Sequence, residues 1–253
     1  MFRIFRTLRK RLLNENRVRN YLLYAIGEIV LVVLGILIAL QINSWQEDRH
    51  NQQIRQAYIE SFKRDLALDT VLLKELNSHM ATDLEYTMGL FERMTSETAT
   101  RDTLIRIFRK DFDPYYSPSN TLNTSTFERI NANGHMDLLD STLSTALIGH
   151  HKDQLQVLGM LEDNINAMFT TYTQSILKFP NLPGKDAFGN PLFPDRMGPL
   201  EKRFWDNTDF NELYGTLNGL ILNKIQQQNI IVGVRNEMLD MTRSLLKMLN
   251  EKY

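Results

Sequence analysis

Apolar and polar positions divide this chain into two regimes. From Tyr21 to Ile42 the run YLLYAIGEIVLVVLGILIALQI holds one charge, Glu28, and is otherwise dominated by Leu, Ile, Val, Ala and Gly. At about 1.5 Å per residue it is long enough to cross a hydrocarbon core about 30 Å thick, so it predicts a transmembrane helix. From Ile54 the apolar positions become periodic. Ile54, Tyr58, Phe62, Leu66, Leu73, Leu76, Met80, Leu84 and Phe91 follow mostly steps of three, four and seven, with charges between them and no Pro or Gly before Gly89. That spacing predicts an amphipathic helix. The two patterns join into one predicted helix from about residue 18 to 95, with a bend admissible at Asn43-Ser44.

The rest of the chain reads as further helices separated by turn chemistry. A short helix over about Arg101 to Lys110 gives way to Asp113-Pro114-Tyr115-Tyr116-Ser117-Pro118, whose prolines break regular structure. A second short helix from Thr124 to Ala132 stops at Asn133-Gly134, a helix C-terminal signal. Asp140 is the expected N-cap of a long helix whose face includes Leu143, Leu147, His150, Leu158, Leu161, Ile165 and Phe169, ending at Pro180. Between Phe179 and Pro199, Pro180, Pro183, Pro191, Pro194 and Pro199 together with Gly184, Gly189 and Gly198 exclude a continuous helix. Helix resumes by Asp209 and carries Leu213, Leu217, Leu220, Ile221, Ile225, Ile231, Met238, Met241, Leu245 and Leu249 to the C-terminus. No segment alternates as a strand does. The expected class is all-α, with one N-terminal transmembrane helix continuing into an extracytoplasmic bundle of long helices.

Charge supplies the orientation. Ahead of the apolar run lie Arg3, Arg6, Arg9, Lys10, Arg11, Arg17 and Arg19 against one acid, Glu15, whereas Glu47, Asp48 and a single Arg49 follow it. Basic flanks stay in the cytoplasm. The expected layout is therefore a basic cytoplasmic amphipathic segment over 1–20, a transmembrane helix over 21–42 and a periplasmic helical domain over 43–253 of a bacterial inner-membrane protein. Trp45 at one end and Tyr21 and Tyr24 at the other suit the aromatic belts of a bilayer. In the basic segment Phe5, Leu8 and Leu12 form one stripe with arginines beside it; the plain reading is a topology signal resting on the inner leaflet, the other recognition of anionic lipid or of a cytoplasmic partner. Two other readings compete. A cleavable signal peptide has a shorter apolar core and a small-x-small site, which Ile38-Ala39-Leu40-Gln41-Ile42 lacks. A buried core helix leaves unexplained why no other segment is comparably apolar.

Glu28 needs a physical account, because an ionised carboxylate in hydrocarbon is costly unless paired, hydrated or protonated. Lying about 10 Å in from Tyr21, it can reach toward the arginines at the interface. Alternatively it faces a second protein helix, with Gly27, Gly35 and Ala39 as small residues that permit close approach. Both readings stay open.

Of the 29 basic and 30 acidic side chains, seven and two precede residue 43, which leaves a net charge of about −6 beyond it. A nucleic-acid partner is not expected. There is no cysteine, hence no disulfide and no thiolate metal site. Adjacent His150 and His151 point about 100° apart on a helix, and His50, His79 and His135 share no ligand spacing with them, so no metal site is expected and the pair reads as bundle-edge histidines. No GxSxG, P-loop or GxGxxG motif occurs, so neither catalytic residues nor a cofactor are expected. Residues 112 to 123 and 179 to 200 combine aromatics with breakers. Tyr115, Tyr116, Phe188 and Phe193 are the candidates for recognition there, unless these aromatics cap the end of the bundle and bury themselves.

The block from Tyr24 to Glu47, YAIGEIVLVVLGILIALQINSWQE, preceded by a basic Phe-Arg-x-x-Arg-x-x-Leu segment, resembles the N-terminus of a family of single-span proteins from Gram-negative bacteria that is catalogued only as a domain of unknown function. A looser likeness lies in Ser125 to Gly134 followed by Leu138-Leu139. The resemblance implies the anchor and carries no activity. The expected function is that of a membrane-anchored periplasmic interaction or scaffold protein, not an enzyme, with the lipid bilayer and other copies of itself or a membrane-protein partner as its contacts. The other expectation is a ligand-sensing helical bundle acting through a partner subunit.

Overall fold

A computed structural model of the chain describes residues 18–114, 122–180 and 196–253. Among the described residues are six α-helices: α1 (Val18–Thr95), α2 (Arg101–Arg106), α3 (Ser125–Ala132), α4 (Ser141–Ile176), α5 (Pro199–Asn207) and α6 (Phe210–Lys252). No strand occurs among the described residues. The fold is all-α, as the spacing predicts. The chain divides into two compact units, Met1–Ala57 and Tyr58–Tyr253.

In the first unit, α1 carries an 18-residue window of mean hydropathy 2.6, none of it buried. Leu22, Ile29, Leu31, Ile38 and Leu40 are all more than half exposed. A core helix would be covered by the rest of its own chain. Within its own unit this window is exposed. Among the described residues one helix is long and apolar enough to cross a membrane.

The second unit is built on three long helical stretches. On α1 the inward positions Ile59, Phe62, Leu66, Asp69, Leu73, Leu76, Met80, Asp83, Thr87, Leu90 and Met94 alternate steps of three and four; all are buried except the half-buried Asp83. The same alternation runs through Ile221, Lys224, Gln228, Ile231, Arg235, Met238, Thr242, Leu245 and Leu249 on α6, every one buried. This is the spacing of helices that pack side by side over many turns. Asp83 meets Lys224 and Gln228 while Asn77 meets Asn236, so α1 and α6 run antiparallel. Asp69 meets Gln154, and Leu90 shares a cluster with Met168 and Tyr172, so α1 and α4 run parallel.

Local chemistry explains the helix ends. Thr100 and Thr103 cap α2 reciprocally, and α2 widens into a π-helical turn over Ile107–Asp111. Gly134, at φ 67°, occupies the left-handed region after α3, where a Cβ would be strained. The Asp140 side chain accepts from Thr142 N and Leu143 N at 3.1 Å each, which makes it the N-cap the sequence calls for. Asp209 caps α6 in the same way through Asn211 N at 2.8 Å.

One short helix is added to the reading and two faces need correction. Helix resumes at Pro199, ahead of Asp209, because Pro199 at the start of the helix has the φ that a helix requires and Trp205 anchors the short α5 in the core. On α4 the buried line is Leu143, Leu147, His150, Gln154, Val157, Leu161, Met168 and Tyr172, while Leu158 and Ile165 are half-buried and Phe169 is 50% exposed. Gln154 holds a core position there, and a polar residue in the seam displaces the face that apolar spacing suggests. On α6, Thr242 likewise takes the inner position and leaves Met241 exposed.

Candidate functional site

In the apolar part of α1, helical spacing puts Ala25, Glu28, Val32, Gly35 and Ala39 on one stripe, in alternating steps of three and four. Gly27 lies one position off it. All of these except the half-buried Ala25 are exposed, and a Cβ built on Gly27 or Gly35 meets nothing within 4 Å. The small residues therefore serve no packing within the chain itself. They form a narrow ledge with one carboxylate on it.

Within the bundle, polar groups enter the seams in layers. Asp69, 0% exposed, accepts from Asn123 N at 3.0 Å, Asn123 Nδ2 at 2.6 Å and Gln154 Nε2 at 3.2 Å. Burial pushes its carboxyl up from the ordinary carboxylate range, and the amide donors from Asn123 and Gln154 pull against that rise. The layer ties α1 to α4 and to the start of α3. A second layer joins Lys224, 1% exposed, to Asp83 Oδ2 at 3.1 Å and the Asp113 carbonyl at 2.8 Å, with Gln228 Nε2 on the same carboxylate at 2.8 Å. Here a buried ammonium is matched by a carboxylate and a backbone acceptor, as its burial requires.

The third layer is His150 with Thr242. Thr242 Oγ1 donates to the Met238 carbonyl at 2.7 Å, so its oxygen is left to accept from His150 Nε2–H at 3.0 Å. His150 is buried, not at the edge of the bundle as its sequence position suggests. Burial lowers its pKa to about 4; Asp153 acts to raise it and His151 to lower it, and Asp240 faces it from α6 across an open groove. The folded state thus holds His150 neutral, whereas the unfolded chain takes up its proton below about pH 6.5. Stability is expected to fall as pH drops from about 6.5 toward 4 and then to lose nothing further from this group. Asp69 acts in the opposite sense, since its raised carboxyl favours the folded state as pH falls. Urea midpoints measured between pH 7 and 4 check the sign: His150→Gln should flatten the slope, and an unchanged slope would refute the assignment.

At one end of the unit, Phe108, Phe179 and Trp205 pack together, with Phe179 and Trp205 stacked at 6.2 Å and 9° between planes. Arg109, itself buried, holds Glu201 through Nε–Oε1 at 2.5 Å and Nη2–Oε2 at 3.3 Å, and Trp205 Nε1 donates to the same carboxylate at 3.3 Å. Arg101 Nη2 donates to the carbonyls of Trp205 and Thr208. Tyr115, Tyr116, Phe188 and Phe193 lie outside the described residues. The aromatics that flank their segments, Phe112 and Phe179, are buried in this cluster and so follow the capping reading. Beside it Leu177, Leu200 and Phe204 are exposed.

Sequence reasoning missed Asp69, Asp83, Lys224 and Arg235, because a charge on a charge-rich helix reads as solvated. The available signal was their place in the step of three and four that the buried positions on either side of them keep. His151 stacks on Phe127 at 4.0 Å, which separates it from its neighbour His150. Among the described residues no cluster of three His, Asp or Glu side chains could hold a metal ion.

Residues 28–113 match the model of a family described as a family of unknown function, DUF6090. The match takes in most of the Tyr24 to Glu47 block and ends before the Ser125 segment, in keeping with the resemblance read from the first of these. No curated protein and no solved structure matches the chain.

Proposed function

We propose that the chain is a single-pass protein of the bacterial inner membrane, with residues 1–20 in the cytoplasm, 21–42 in the bilayer and 43–253 in the periplasm. Its helical body there acts as an interaction or scaffold module without a catalytic step of its own. The observation that carries this reading is the apolar window of α1, long enough to span a bilayer and exposed within its own unit. The excess of arginines ahead of it supports the orientation. Alkaline-carbonate extraction, N-terminal sequencing of the mature chain and a reporter fused after Tyr253 test it together. The protein should stay with the membrane, retain its first residues and present an active periplasmic reporter. A mature chain that begins beyond Trp45, or a reporter active only in the cytosol, overturns the proposal.

The anchor also supports self-association. Close helix approach in lipid depends on small residues, and a carboxylate at such a contact can bond across it. Gly35→Leu combined with Ala39→Leu is expected to abolish the multimers that in-membrane crosslinking captures for the unaltered chain, and Glu28→Gln to weaken them. Detection of monomer alone in the unaltered chain removes the oligomer from the reading.

A further inference from the structure

Burying a cation inside this bundle is handled in two ways. Arg109 faces Glu201, and Lys224 faces Asp83 and the Asp113 carbonyl. Arg235 is treated differently. It occupies the inner seam of α6 between Ile231 and Met238, is 2% exposed, and its Nε and Nη1 have no hydrogen-bond partner. Its flanking residues belong to an apolar cluster that includes Leu73, Met80, Val157 and Leu161. Burial alone lowers its pKa from the usual guanidinium value, with no acid acting on it.

A guanidinium offers two edges that grip an oxyanion with paired donors, Nε with Nη2 and Nη1 with Nη2. Each edge of Arg235 contains one buried donor that the protein leaves unused. An enclosed charge without a counter-charge opposes folding, and a bound anion removes that opposition. Nothing of this kind applies to the exposed arginines of the bundle, which water solvates.

We infer that Arg235 is the anchoring donor of an internal site for a small oxyanion, a carboxylate or a phosphate, held between α1, α4 and α6. The site is independent of whether the anchor assembles copies. Its charge is fixed across the physiological range, so occupancy follows anion concentration rather than the protonation of the protein.

Thermal unfolding of the full chain in detergent micelles tests this, with chloride replaced at constant ionic strength by acetate, by phosphate or by sulfate. At a hundredfold excess over Kd, the fitting anion should raise Tm by roughly 5–10 °C. The arms separate the sources: a response to acetate alone assigns a carboxylate, and one to phosphate and sulfate assigns a tetrahedral anion. In Arg235→Met the specific rise should vanish while Tm in chloride increases, because the unpaired charge is gone. Arg235→Lys keeps the charge and loses the two-donor edge, so it should retain at most a small part of the response; this variant decides the matter if the methionine form does not fold. An equal response in all three proteins is a general salt effect and overturns the proposal, as does the absence of any anion response in the unaltered chain.

Discussion

Trp205→Ala is expected to cost the bundle about 4 kcal/mol, a fall of roughly 12 °C in Tm. Trp205 is 1% exposed and touches Phe108, Phe179 and Phe204, so truncation opens a cavity among rings that have little freedom to close around it. Its indole also donates to Glu201, and its carbonyl accepts from Arg101. The loss therefore loosens α5 as a whole. Circular dichroism on heating measures the fall, and fluorescence adds a second reading because Trp45 is then the one tryptophan left. Trp205→Phe should cost much less. A drop below about 1 kcal/mol for the alanine variant would mean that the aromatic cluster is not part of the cooperative unit.

The next largest effect is expected for Asp83→Ala, at about 3 kcal/mol or roughly 9 °C in Tm. Asp83 is the carboxylate that Lys224 and Gln228 share, and its removal takes that charge away from a nearly inaccessible ammonium. The comparison that isolates this cause is the double variant Asp83→Leu with Lys224→Met, which removes both charges and should recover most of the lost stability. If the double variant is as unstable as Asp83→Ala alone, the pair is not what holds α1 to α6. Chemical unfolding in the same detergent gives all the values on one scale.

The contrast between these sites shows what the sequence makes legible. Helix class, the cap at Asp140 and the long apolar helix follow from local chemistry, and these agree with the structure. The face of α4 does not, because Gln154 sits in the core and a reading of apolar spacing alone slides the stripe toward Phe169. The short α5 escapes notice because nine residues rich in charge give almost no periodicity, and its anchor is a single tryptophan. The buried charges are hidden for a different reason. Nothing in Asp69 or Lys224 by itself separates a solvated residue from an interior one; the distinction lies in a partner 85 or 141 positions away. Arg235 is the extreme case, since its peculiarity is the missing partner.

The polar layers have one more consequence, for misfolding. Helices with a regular seven-residue repeat can slip past one another by one repeat and still bury leucine on leucine. Here such a slip would set Lys224 against Leu76 or Leu90 instead of Asp83, and Gln154 would surrender Asp69 to Leu147 or Leu161. Either one-repeat slip strands a charge among apolar side chains. The bundle thus discriminates against its own near-degenerate competitors by penalty as well as by fit, and a variant with these layers made wholly apolar should be harder to melt yet populate more than one alignment.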